Sequence, residues 1–121
     1  MEKKKTLVIG ASPNPARYSY LAVQKLSAHQ HPVIALGIKK GVIGNTEIET
    51  EKKAFEQIDT VTLYLNPLRQ KDYYDYILAL QPKRIIFNPG TENEELNKLA
   101  RQKGIQTMEA CTLVLLSIGQ Y

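Results

Sequence analysis

The run Lys5 to Ser19, Lys-Thr-Leu-Val-Ile-Gly-Ala-Ser-Pro-Asn-Pro-Ala-Arg-Tyr-Ser, holds the residues best suited to chemistry. A β-rich stretch, Thr6 to Ile9, meets Gly10, then a loop of small residues and prolines, then apolar residues at helical spacing. A strand, a turn and a helix N-terminus in that order aim backbone N–H groups and the positive end of the helix dipole at one place. A phosphate fits there. Arg17 adds a planar fork of donors, and the hydroxyls of Ser12 and Ser19 can either donate to phosphate oxygens or cap the helix. The spacing is not Gly-x-Gly-x-x-Gly, because Ser12 and Pro15 stand where the second and third glycines would be. That counts against a dinucleotide fingerprint without touching the phosphate. A turn of this kind also occurs where Gly10 only reverses the chain.

A second candidate is the pair Lys39 and Lys40, in Gly37-Ile38-Lys39-Lys40-Gly41. An NAD site in an α/β sheet places an Asp or Glu after the second strand to accept from the ribose, whereas a ribose phosphate needs positive charge there. Two lysines and no acid favour coenzyme A or NADP over NAD, against the alternative of a solvated basic loop. Cys111 is the one potential nucleophile. It reads either as a thiolate at the start of the last helix, able to form a mixed disulfide with the CoA thiol, or as a small buried hydrophobe. His29 and His31 bracket Gln30 before Pro32 and read as solvated turn residues on the edge away from any ligand crevice. The sequence offers no paired carboxylates at the strand ends, no nucleophile–base pair near them and no metal-ligand spacing.

These residues need a scaffold, and the chain alternates strands with helices. Asn14-Pro15 reads as an N-cap with proline at the first helical position, and Leu21, Ala22, Lys25 and Leu26 as one helix face ending near His29. A strand is expected at Val33 to Leu36. Residues 42–58 are mixed: Val42 to Glu49 as a short hairpin or arm, and Glu51 to Ile58 as a turn or two of helix, with neither decided. Thr60 to Leu65 reads as a strand buried on both faces, stopped by the turn signal Asn66-Pro67. A helix is expected over Leu68 to Leu80, with Tyr73, Tyr76 or Ile77, and Leu80 on its core face, ended by Pro82. The next strand, Arg84 to Phe87, runs into Asn88-Pro89-Gly90. Thr91 and Glu94 have capping-box spacing and open a helix carrying Leu96, Leu99 and Ala100, terminated by Gly104. A fifth strand over Ile105 to Met108 and a closing helix over Ala110 to Ile118 complete the pattern.

The expected architecture is therefore α/β, a Rossmann-like three-layer fold with a five-stranded, mainly parallel sheet. Residues 1–121 would form one domain, since this length suits a single core. Gly10 to Ser19, Lys39 and Lys40, Asn66-Pro67 and Asn88-Pro89-Gly90 all follow strand carboxyl ends and should meet in one crevice. A lone cysteine, the absence of a signal pattern in Met1 to Lys5 and no apolar run longer than Leu113 to Leu116 predict a cytoplasmic protein with no membrane contact. The net charge of +4 favours an anionic partner. The basic residues are scattered and the tyrosines do not interleave with them, which argues against nucleic acid.

The run Gly10 to Ser19, with Pro67, Asn88-Pro89-Gly90, and Glu94-Glu95-Leu96 leading to Ala110-Cys111-Thr112, resembles the small bacterial CoA-binding-domain proteins. Those are similar in turn to the N-terminal CoA-binding domain of the succinyl-CoA ligase alpha subunit. The resemblance spans nearly the whole chain. It implies a Rossmann-like CoA-binding domain in which Gly10, Ala11, Ser12, Pro13, Asn14, Arg17, Tyr18 and Ser19 hold the CoA phosphates. Lys39 and Lys40 would lie near the adenosine end, and Asn66, Pro67, Asn88 and Gly90 would flank the adenine or pantetheine. Two places depart from the family. Gly37-Ile38-Lys39 replaces a frequent Asn-Pro-Lys, and Asn88 and Pro89 follow Phe87 where a glutamine is common. The ligase keeps its phosphorylated histidine in a further domain, so the resemblance carries over ligand binding and not ligation.

The expectation is thus a non-catalytic module for CoA or acyl-CoA. The alternative is an NADP-binding oxidoreductase domain, for which Tyr18, Tyr64 and Tyr121 are proton-donor candidates by residue type alone. The apolar segment Leu113 to Ile118 leaves open internal packing, a homodimer or a protein partner.

Overall fold

The computed structural model describes residues 2–121; Met1, the first residue of the expected domain and of the Met1 to Lys5 stretch, lies outside the described residues. Seven strands form one sheet: β1 (Thr6–Ile9), β2 (Val33–Leu36), β3 (Val42–Ile43), β4 (Thr46–Glu49), β5 (Thr60–Leu63), β6 (Arg84–Phe87) and β7 (Gln106–Glu109). Their order is β3-β4-β2-β1-β5-β6-β7, with every pairing parallel except β3 with β4. The expected Rossmann-like fold is present, with two strands more than the five read from the sequence. Both extra strands come from the undecided stretch, where a hairpin turning at Gly44 adds to the β2 edge. Residues 51–58 form no regular helix.

β1 lies between β2 and β5 and is buried on both faces, which is why it reads as an unbroken apolar run. Alternation divides the core into two layers. Leu7, Ile9, Val61, Leu63, Ile85 and Phe87 face Ile77, Leu96 and Ala100; Val8, Ala35 and Ile86 face Val23, Leu26 and Leu116. The helices supplying those partners are α1 (Tyr18–Ala28) and α5 (Thr112–Ser117) on one side, and α3 (Tyr74–Leu80) and α4 (Glu94–Gln102) on the other.

Helix boundaries depart from expectation in instructive ways. α1 starts at Tyr18 with Arg17 as its N-cap and no side-chain cap, because Asn14 Oδ1 accepts instead from Ala16 N in a local turn at 3.0 Å. Its buried face is Ser19, Ala22, Val23 and Leu26, with Lys25 outside. The helix expected over Leu68 to Leu80 is broken into α2 (Pro67–Gln70), one 3₁₀ turn (Lys71–Tyr73) and α3. The fully buried Gln70 explains the break: its Nε2 donates to the carbonyls of Leu65 and Thr91 at 2.8 Å each. The first turn is anchored there, and the tighter 3₁₀ turn lets the chain leave that anchor before lying on the sheet. Asn66 caps α2, its Oδ1 accepting from Arg69 N, so Asn66-Pro67 is a helix start and not only a strand stop. α4 is capped by Asn93 and not by Thr91, whose hydroxyl donates to the Asn88 carbonyl.

The largest correction is His31. It was expected in solvent and is 3% exposed. After α1, Gln30 takes a left-handed φ of 66° and His31 N donates back to Leu26 O, which folds the ring beneath the sheet. There its Nδ1 accepts from Lys4 N at 3.0 Å, and it meets the Tyr121 ring edge-on with centroids 4.9 Å apart. Arg84, 8% exposed, joins this cluster at the strands' amino ends, donating from Nε to Thr60 Oγ1 and from Nη1 to the Tyr121 main-chain oxygen. His29 is exposed, as expected.

Candidate functional site

The register aligns Leu36, Ile9, Leu63 and Phe87 along one edge of the sheet. The segments that follow them therefore leave the sheet side by side. β1 leads away to β2 on one hand and β5 continues on the other, so this edge is a topological switch point, where α/β sheets open a crevice. A cleft of about 490 Å³ lies there, walled by the loop after β1, the end of β2, α2 with the residues before it, and the turn after β6.

Two close approaches shape its floor. Gly10, at φ +93°, passes Tyr64 so closely that a Cβ would sit 2.9 Å from the Tyr64 carbonyl carbon. A Cβ on Gly37 would be 2.2 Å from the Ala11 carbonyl oxygen. Only glycine fits either position without backbone movement. Gly10 N and Ala11 N both donate to Leu36 O, so these two loop N–H groups tie the loop to β2 and do not point to the cleft. Asn14 N donates to Ser12 Oγ and Arg17 N to Asn14 O. Among the described residues nothing accepts from the N–H groups of Ser12, Tyr18 and Ser19. The uncapped start of α1 thus faces the cleft with donors to spare, unlike the capped start of α4.

Of the residues singled out in the sequence, Gly10, Ala11, Ser12, Pro13, Arg17, Tyr18, Ser19, Lys39, Asn66 and Gly90 line the cleft. Asn14 and Pro67 do not. Lys40 turns to a separate depression of about 450 Å³ beside the β3–β4 hairpin, lined also by Glu47, Glu49 and Glu51. Asn88 is 2% exposed and works inside the fold. Its Nδ2 donates to Thr62 Oγ1 at 2.6 Å and Leu63 O at 2.9 Å, while its Oδ1 accepts from Thr112 N at 2.9 Å and so caps α5 from a distance. Gly90 N donates to Glu92 Oε1. The sequence reading missed Arg69 and Tyr73, which enter the cleft from the α2 segment. Arg69 carries a signal in retrospect: it stands three residues beyond Asn66, on the first helical turn after a strand end.

The lining charges are Arg17, Lys39 and Arg69, with no Asp or Glu among the lining residues. The one side-chain ion pair among the described residues is Lys53–Glu49, away from this cleft. The cleft therefore presents three uncompensated cations, an arrangement suited to a ligand bearing several negative charges. Tyr64 lines the floor, but its hydroxyl is buried with no hydrogen-bond partner; burial first, then the neighbouring Cys111, pushes its pKa well above the ordinary value. Tyr121 lies with Arg84 and His31 at the far end of the sheet, its hydroxyl against Thr6 Oγ1. Tyr18 stands exposed at the cleft mouth. Cys111 is half-buried at the N-cap of α5 and is not among the lining residues. In α5, Leu116 packs inward while Val114 and Ile118 are exposed. No helix among the described residues is long and apolar enough to cross a membrane.

A mainly parallel sheet in this order, opening a cationic cleft at its switch point, defines an α/β domain of Rossmann type. The comparison with protein families is specific: residues 4–117 match the CoA binding domain, and the chain belongs to that family. An uncharacterized protein of known crystal structure is 50% identical over the whole of both chains, with a TM-score of 0.97. A hypothetical protein from Pyrococcus horikoshii OT3 is 23% identical, over 93% of this chain and 80% of its own, at a TM-score of 0.84. A conserved hypothetical protein from Pyrococcus furiosus is 20% identical, over 92% of this chain and 97% of its own, at 0.79. The last two show likeness of fold alone. No curated protein matches the sequence.

Proposed function

We propose that the chain is a single non-catalytic module that binds CoA or an acyl-CoA in the switch-point cleft. The observation that carries this reading is the uncapped N-terminus of α1, which offers the N–H groups of Tyr18 and Ser19 beside Arg17, with the N–H of Ser12 free in the loop before it. A diphosphate satisfies those donors and suits the helix dipole. Lys39, at the end of β2, is then the partner for the ribose 3′-phosphate, and the turn after β6 lies toward the pantetheine arm. The charged and phenolic groups lining the cleft are arginine, lysine and tyrosine, a set of hydrogen-bond donors suited to anions. A sensor, carrier or partner role follows, and the ligand is a small nucleotide.

Titration calorimetry with CoA, CoA lacking its 3′-phosphate, NADP and NAD tests it. CoA should bind best. Arg17→Ala should weaken CoA about 10- to 100-fold, the loss of roughly 1.5–3 kcal/mol of charge-assisted hydrogen bonding. Preference for NADP would favour an oxidoreductase domain, and no binding by any of the four at millimolar concentration would overturn the reading.

A further inference from the structure

Arg69 belongs to none of the motifs that pointed to the cleft, yet its position is among the most firmly held there. Its N–H donates to Asn66 Oδ1 at 2.9 Å, and its neighbour Gln70 is fully buried. Gln70 is tied through Nε2 to Leu65 O and Thr91 O, and through Oε1 to Asn93 Nδ2. The platform is fixed and the guanidinium is left without an ion-pair partner among the described residues. Arg17 reaches the cleft from the start of α1, on the face of the sheet shared with α5. Arg69 reaches it from α2, whose anchor Gln70 joins the other face through Thr91 and Asn93.

We infer that Arg69 is the second arm of a cationic clamp, closing on the diphosphate from the face opposite Arg17. The inference rests on the CoA reading above. Strand order points to the phosphate meant: β5 is next to β1 and two places from β2, so the segment that carries Arg69 leaves the sheet beside the α1 loop and one strand further from the segment that carries Lys39. The clamp makes the cleft selective for a diphosphate ester over a nucleotide with one 5′-phosphate. Two arginines on opposite sides can each take oxygens of a separate phosphoryl group, and a single phosphate fills only one arm.

Calorimetry of the full chain with CoA, CoA lacking its 3′-phosphate, and adenosine 3′,5′-bisphosphate separates the arms. Arg69→Ala should weaken the first two by a common factor of about 10 or more, and the bisphosphate by less than about threefold. Lys39→Ala should instead weaken CoA and the bisphosphate and leave the form lacking the 3′-phosphate unchanged. Arg69→Lys should recover part of the loss, since a point charge returns without the fork. Arg69 is exposed, so a melting temperature unchanged in Arg69→Ala marks the effect as one on binding. A CoA affinity in Arg69→Ala within twofold of the parent overturns the clamp and leaves the CoA reading intact, as does a loss that follows the 3′-phosphate. Failure of the parent protein to bind CoA overturns both.

Discussion

Replacing Asn88 by alanine should unfold the protein more readily without emptying the cleft. The side chain is 2% exposed and makes three hydrogen bonds, to Thr62 Oγ1, Leu63 O and Thr112 N. Alanine leaves the Leu63 carbonyl and the first N–H of α5 buried without partners, at about 1–3 kcal/mol each. The Thr62 hydroxyl keeps its partner, Thr112 Oγ1 at 2.7 Å, so its share of the loss is small. The sum is about 3–4 kcal/mol, a large part of the roughly 5–15 kcal/mol that holds a domain folded. At about 3–4 °C per kcal/mol for a chain of this size, the melting temperature should fall by roughly 10–15 °C. Thermal denaturation followed by circular dichroism reads this, and calorimetry with CoA well below the new midpoint should return an affinity within about threefold of the parent's. A midpoint lowered by less than about 3 °C would refute the ledger of bonds. A natively stable variant that had lost CoA would place the Asn88 amide in the cleft.

Two further outcomes follow from buried groups. Burial first, then Lys3, Lys4, His29 and Arg84, lowers the His31 pKa from its ordinary 6.5, so below that pH the unfolded chain takes up a proton that the folded one refuses. Stability should fall as the pH drops from about 6.5, and urea midpoints at pH 7.5 and 5.0 should diverge less in His31→Gln; equal divergence would show that His31 is not the group responsible. Gly37→Ala brings a Cβ within 2.2 Å of the Ala11 carbonyl oxygen and should cost about 1–3 kcal/mol. Because the displaced segment is the cleft floor, CoA affinity should fall as well, and unchanged denaturation and binding together would contradict the close approach.

The parts of the fold legible in the sequence are those decided locally. Thr6–Ile9, Val33–Leu36 and Arg84–Phe87 are short apolar runs between turn signals, and each is a strand with those bounds. Gly10 marks the chain reversal at the cleft because its φ of +93° is a local requirement. What escaped was set by contacts between distant residues. The β4 strand exists because Ala35 and Leu36 offer it an edge, and its Thr-Glu-Ile-Glu sequence has only one apolar residue to announce it. His31 looks like any histidine in a turn until Lys4 N and the Tyr121 ring close over it. Asn88 sits in a run that signals a turn, and nothing in Asn-Pro-Gly reveals that its amide will bridge β5 and α5.

The same logic explains why basic charge misleads in one dimension and informs in three. Lys4 and Arg84 are drawn into the cluster at the strands' amino ends, where the Tyr121 main-chain oxygen accepts from both and the Tyr121 ring stacks beneath the guanidinium. Lys53 is paired with Glu49, and Lys40 faces a depression that already holds three glutamates. Arg17, Lys39 and Arg69, on three separate segments, line the cleft, which has no Asp or Glu among its lining residues. Folding thus brings three basic groups that are far apart in the sequence to one cleft. A ligand with charges spread over two sites, a diphosphate and a ribose phosphate, suits that arrangement, because the three cations are carried on segments that follow three neighbouring strands.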